Sequence, residues 1–186
     1  MAHGQTGWLL KGQLKDGTVK AFAVPDKDSQ TTGSAKWNLV YKNRQSKWDT
    51  LTFAPKATVV VDSILLTALQ IDGKGLKEIV LTYTINLAYK TAIKERQNRY
   101  TINTIYNLDT RTIIFFARSE YYYLNKEKII NTDSCTYSYN FSIDHQGTVI
   151  VKNVKKYFLG SCDPSLVDKS EGIYVFKDGQ YIWTKF

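Results

Sequence analysis

The sequence predicts a mainly β protein: antiparallel sheets or a sandwich built of hairpins, with one or two short helices at most. Three observations lead there. The chain carries 13 tyrosines against one methionine and three prolines, and with its many Thr, Val and Ile residues this composition favours strands. From Tyr137 to Ile143 every odd position is apolar and every even one polar, the period-two signature of a strand with one buried face. Finally, Asp16-Gly17 and Asp178-Gly179 each separate two strand-like runs, and Asp-Gly is a strong hairpin signal because both residues tolerate positive φ.

In chain order, residues 8–14 and 18–24 form the first predicted hairpin, and 26–34 is a polar loop. Residues 37–41 and 48–53 flank a longer polar connection, and 100–106 and 112–116 flank Asn107-Leu108-Asp109-Thr110. The alternating strand 137–143 passes through Asp144-His145-Gln146-Gly147 into 148–151, and 173–176 returns as 181–183. Five hairpins thus account for most of the chain. Residues 87–97 and 124–130 contain good helix formers among β-rich neighbours, so helix and strand both stay open there.

At 186 residues the chain suits a single β-rich domain, 1–186, in which 1–55 is separable as an N-terminal hairpin subdomain. A chain of this size buries roughly 70% of its unfolded surface, so no metal or disulfide is required for folding. The apolar run 57–66 is broken by Asp62 and Ser63 and falls short of the ~20 residues a membrane helix needs. The first residues, MAHGQTGWLLKG, lack the regions of a signal peptide, which points to a cytoplasmic chain or to a mature form without its leader.

The formal net charge of +8 favours an acidic partner, whether protein, envelope polymer or nucleic acid. The basic residues are scattered, however, without the run of five or more that marks a nucleic-acid arm, so nucleic acid ranks lower. Tyr and Arg are favoured in binding hot spots, which makes Lys94, Arg96, Arg99, Tyr121 and Tyr123 the candidate binding residues. Consecutive tyrosines must point to opposite faces of a strand, so at least one of the sets Tyr121-Tyr122-Tyr123 and Tyr137/Tyr139 belongs to the core.

Catalytic signatures are missing from the sequence. The two histidines are His3, near the terminus, and His145, in a hairpin tip, and no G-x-S-x-G, phosphate-binding glycine loop or H-E-x-x-H occurs. Asp62, Asp72, Glu78, Asp109, Glu120 and Asp133 leave a two-carboxylate glycosidase open only if the fold brings two of them to face each other. The expectation is a protein that is not an enzyme and needs no cofactor.

Cys135 and Cys162 are the whole cysteine inventory. The hairpin sets Cys135 opposite the region of Lys156, and a bend at Leu159-Gly160 would return Cys162 to it. A disulfide is the expectation because both flanks, Asp133-Ser134 and Ser161 with Asp163-Pro164, read as surface sequences. Two free thiols are the alternative. A disulfide implies a periplasmic, surface or secreted setting.

The stretch Gln70-Ile71-Asp72-Gly73-Lys74-Gly75-Leu76-Lys77-Glu78, followed at once by the apolar Ile79-Val80-Leu81, resembles the calcium-loop repeat of the FG-GAP and VCBS families, the integrin-α type, as a single degenerate copy. The resemblance places side-chain ligands at Gln70, Asp72, Lys74 and Glu78 and a carbonyl at Leu76, with the glycines allowing the tight turn. Lysine cannot ligate calcium while charged, so the expected loop is vestigial, keeping the turn and not the metal; an ordinary glycine-rich hairpin turn is the alternative. Small secreted bacterial proteins with such loops include inhibitors of lytic enzymes and immunity-like proteins. By that resemblance the expected function is a non-enzymatic extracytoplasmic binding protein for an acidic protein or an envelope polymer. The rival expectations are an envelope glycan hydrolase and a nucleic-acid-binding or phage-type structural protein.

Overall fold

The computed structural model describes residues 9–25, 35–54, 60–91, 93–127, 132–162 and 168–186. These residues form two antiparallel sheets and no helix. The N-terminal sheet has the order β1-β2-β3-β4, with β1 at Leu9–Gln13, β2 at Val19–Pro25, β3 at Ala35–Lys42 and β4 at Trp48–Ala54. The second sheet is a meander of eight strands: β5 (Val60–Leu69), β6 (Glu78–Lys90), β7 (Lys94–Asn107), β8 (Thr112–Glu127), β9 (Thr132–Ile143), β10 (Val149–Leu159), β11 (Gly172–Lys177) and β12 (Gln180–Thr184).

The five predicted hairpins are present, with β7 and β8 much longer than the sequence suggested. The helical alternative is overturned at both candidate segments. Residues 87–97 run from the end of β6 through a turn into β7, paired without interruption from Ile79↔Tyr106 to Lys90↔Glu95. Leu124, Asn125 and Lys126 lie in β8, while 128–130 fall outside the described residues. Helix propensities differ by less than ~1 kcal/mol per residue, and a ladder satisfying every backbone group of a long hairpin outweighs them. The loop 26–34 and His3 also lie outside the described residues.

Period-two burial builds two cores. Ala21, Trp37, Leu39, Tyr41 and Phe53 of the N-terminal sheet meet Ile79, Leu81, Tyr83 and Ile85 of β6 and Ile102 and Tyr106 of β7 in one cluster. Burial pushes the Tyr83 hydroxyl up to about 12. The opposite parity of the same strands, Val80 and Ile105, faces a second cluster with Phe115, Ala117, Tyr121, Tyr137, Tyr139, Val149, Val151 and Tyr174. β6 and β7 are therefore apolar on both faces near the 70–77 loop, as a central layer must be.

The β8–β9 ladder runs only from Glu120↔Ser138 to Lys126↔Thr132, so the two strands diverge on the other side of that pair. Into this fork comes the segment before β11. Asp168 accepts the Arg118 N–H at 2.6 Å and the Tyr139 hydroxyl at 3.3 Å, and the Tyr137 hydroxyl donates to the Lys169 carbonyl at 3.0 Å. Burial raises the pKa of the Asp168 carboxyl and lowers that of the Lys169 ammonium.

Candidate functional site

Antiparallel connectivity gathers alternate turns at one end of the molecule, and the 70–77 loop lies among them as the β5–β6 turn. Gly73 and Gly75 take φ of 70° and 67°, the left-handed conformation that glycine adopts most readily. The Asp72 carboxylate accepts the Lys74 N–H at 2.8 Å, and the Gln70 amide nitrogen donates to the Lys74 carbonyl at 3.2 Å. Glu78 is fully buried, its two oxygens accepting from Ile71 N–H (2.8 Å) and Asn107 Nδ2 (3.2 Å). Burial raises its pKa in spite of those bonds.

From the β7–β8 turn, Asp109 accepts the Leu76 N–H at 2.9 Å while the Arg44 guanidinium grips both its oxygens at 2.8 and 2.7 Å. The Arg44 hydrogen bond is the leading cause that holds the Asp109 carboxyl below its usual range. Arg111 reaches the other way, to Asp49 of β4, so two ion pairs of opposite sense clasp the sheets. A Cβ at Gly75 would collide with both Asp109 and Arg44, and one at Gly147 would sit 2.7 Å from Ile71.

The four positions that the resemblance assigns to calcium do not fit the ion. Both Glu78 oxygens and one Asp72 oxygen are engaged by N–H donors, Gln70 uses its amide nitrogen inside the loop, and Lys74 adds a positive charge. Among the described residues no group of three or more His, Cys, Asp or Glu side chains is placed to hold a metal.

Cys135 and Cys162 are joined, with Cα atoms 6.0 Å apart. The bend at Leu159-Gly160 is the expected one, and the register differs from the expected one by two positions. A register shift between Lys152 and Lys155, with Asn153 at φ 57°, sets Cys135 opposite Phe158 and Lys156 opposite Tyr137. Gly160, at φ 77°, then turns the chain back. Nor is Cys135 in a surface setting: it is only 1% exposed and belongs to the second core.

The candidate binding residues are distributed along the β7–β8 arm. Tyr121 is buried in the second core, and Tyr123 is half-buried against it. Arg96 is exposed and donates to Asn125 Oδ1 at 3.1 Å, Lys94 is half-buried at the start of β7, and Arg99 is exposed. Arg99 and Tyr121 line one groove of about 570 Å³ with Asn86, Gln97, Glu120, Tyr122, Thr136, Tyr137 and Ser138. The pairs Asn86↔Arg99, Arg99↔Tyr122 and Tyr122↔Thr136 form one row across four strands. The neighbouring row is tied by Ser63 Oγ to Thr84 Oγ1 at 3.4 Å, Thr84 to Thr101 at 3.1 Å and Thr101 Oγ1 to Glu120 Oε2 at 3.0 Å.

Of the groove's lining, sequence reasoning picked out Arg99 and Tyr121 as binding residues and Glu120 as a candidate acid, but did not assign Asn86, Gln97, Tyr122, Thr136 or Ser138 to the site. The polar parity of the alternating stretch already carried the signal for Ser138, while the row itself exists only through register. The acids are dispersed: Asp72 in the loop, Glu78 at the start of β6, Asp109 in the clasp, Asp133 accepting Ser161 N–H at 3.0 Å, and Glu120 as the one carboxyl among the described residues that line the groove. The Asp62 side chain lies outside the description.

No family model, no curated protein and no solved structure matches this chain.

Proposed function

We propose that the protein is a non-enzymatic binding protein that holds an anionic, hydroxyl-rich envelope polymer along the groove of the β6–β9 face. The observation that carries this reading is the row Asn86, Arg99, Tyr122 and Thr136, in which one guanidinium stands among amide and hydroxyl groups on a paired, rigid sheet. A guanidinium presents a planar fork to a carboxylate or phosphate, and the surrounding amides and hydroxyls suit the polar remainder of a sugar chain. Glu120 faces no second carboxyl among the lining residues, which favours binding over two-carboxylate hydrolysis. The disulfide supports a location outside the cytoplasm.

Binding of polygalacturonate, followed by calorimetry over a salt series, tests the reading. Arg99→Glu is expected to abolish salt-sensitive binding, and charge reversal at Arg96 and Lys94, farther along β7, to slow association more than it speeds dissociation. Unchanged binding by the Arg99 variant, or polymer cleavage lost in Glu120→Gln, would overturn it.

A further inference from the structure

β11 pairs with β10 only at Val149, Ile150 and Val151. Beyond them the outer edge of β10 has no strand partner among the described residues, although its inner edge stays laddered to β9 through Leu159↔Ser134. The Val154 N–H points outward, to Glu171 Oε1 at 2.8 Å. By ladder alternation the backbone groups of Lys156 and Phe158 point the same way. Lys155 to Leu159 are exposed, with Tyr157 at 60%, Phe158 at 39% and Leu159 at 48%. An edge that carries aromatic residues and has no strand partner among the described residues is a template for an added strand.

We propose that this edge of β10 binds an extended acidic peptide segment of a partner protein by strand addition, a function separate from the polymer groove. Charge complementarity selects the partner. Successive side chains alternate faces, so Lys155 and Tyr157 share one face and Lys156 and Phe158 the other. Each face thus offers a lysine with an aromatic ring two residues on. A complementary strand places an acid opposite each lysine and an apolar residue opposite each ring. In antiparallel alignment the ligand reads apolar-apolar-acidic-acidic; in parallel alignment it reads the reverse. A strictly alternating ligand puts both acids on one face and matches neither lysine–ring pair fully. A second copy of this chain is the poorer occupant, because it would bring four lysines into one short ladder.

The test is fluorescence anisotropy of the labelled peptide Thr-Val-Val-Glu-Glu-Thr against the disulfide-intact protein, with Thr-Val-Glu-Val-Glu-Thr and the reversed block as comparisons. The expected result is saturable binding, with one of the two block peptides at least tenfold tighter than the alternating one. Lys155→Glu with Lys156→Glu should weaken it more than tenfold. Lys156→Pro should do the same, since proline removes an outward N–H and leaves the β9 ladder intact; circular dichroism and thiol titration establish that both variants fold. Arg99→Glu should leave peptide binding unchanged, which separates this site from the groove. Absence of saturable binding, equal affinity for block and alternating peptides, or indifference to both lysine variants would overturn the proposal. So would a concentration-dependent dimer lost in those variants, which would make a second copy the occupant.

Discussion

The two ends of the long meander are made of the same antiparallel ladders and finish in opposite ways. At the 70–77 end the turns close on one another through short polar contacts: Glu78 inside the β5–β6 loop, Asp109 and Arg44 across the sheets, and Gly147 against Ile71. At the other end β7, β8, β9 and β10 stay paired as far as Lys94↔Glu127, Lys126↔Thr132 and Leu159↔Ser134, forming a long arm that is tied across β9 and β10 by the Cys135–Cys162 bond and the Asp133–Ser161 contact. Turns that bring polar backbone into an interior need buried acceptors, whereas the arm, which packs Tyr123, Cys135 and Tyr137 into the second core, is tied in addition by a covalent cross-link. The first solution leaves a closed end, and the second leaves accessible the groove and the β10 edge that has no strand partner among the described residues.

The largest expected effect is at the arm. The bond closes a separation of 27 residues, and the chain-entropy relation then gives roughly 3.5 kcal/mol of stabilisation. Reduction should lower the denaturant midpoint accordingly, and hydrogen exchange should rise first in residues 132–136 and 156–160, sparing 70–78. Thiol titration of the denatured, unreduced protein should find almost no free thiol. Uniform loss of protection would mean that the ends are not independently secured.

Next in size is Glu78→Ala, which leaves the Ile71 N–H and the Asn107 amide unpaired in a buried site. A cost of about 3 kcal/mol follows, at ~1–3 kcal/mol for each unsatisfied donor, and here exchange should rise at the loop end with the arm unchanged.

Smaller pH effects of opposite sign sharpen the contrast. The folded pKa of Glu78 is raised above 4.5, so ionising it costs stability, and that share of the unfolding free energy falls as pH rises from 4.5 through the raised value. The folded pKa of Asp109 is lowered from 3.8, so its contribution is present above 3.8 and is lost as pH falls through the lowered value. Glu78→Gln should remove the first slope and Asp109→Asn the second in urea titrations at stepped pH. A common effect of both variants on one limb would refute the assignment.

The smallest effect concerns calcium. The native chain should give no saturable heat on calcium titration, and Gln70→Asp with Lys74→Asp should add at most a site of about millimolar affinity, because the Glu78 and Asp72 oxygens are already engaged. Tight binding by the native chain would break the account of the loop as self-satisfied.

Much of this architecture was legible in the residues. Alternation in 137–143 and the Asp-Gly turns located hairpins because side-chain period and turn conformation are local properties. The run Tyr121-Tyr122-Tyr123 alternates between faces as its spacing requires, and Tyr137 and Tyr139, two positions apart, share the buried face, but which face is buried depends on what the sheet packs against. Residues 87–97 were ambiguous for the same reason, since the ladder with β6 that makes them strand is not written in their propensities.

What the sequence by itself determined was the all-β class, most of the hairpins, the charge, and two cysteines at a distance that a bent hairpin can close. Tertiary structure alone decided that Glu78 serves Ile71 and Asn107, that Arg44 meets Asp109 from 65 positions away, and that Arg99 stands in a row with Tyr122 and Thr136. The physical reason is register. A strand's period sets which side chains share a face, but bulges such as those at Lys152/Lys155 and Thr101/Ile102 set which residues meet across it, and a shift of one position exchanges every partner.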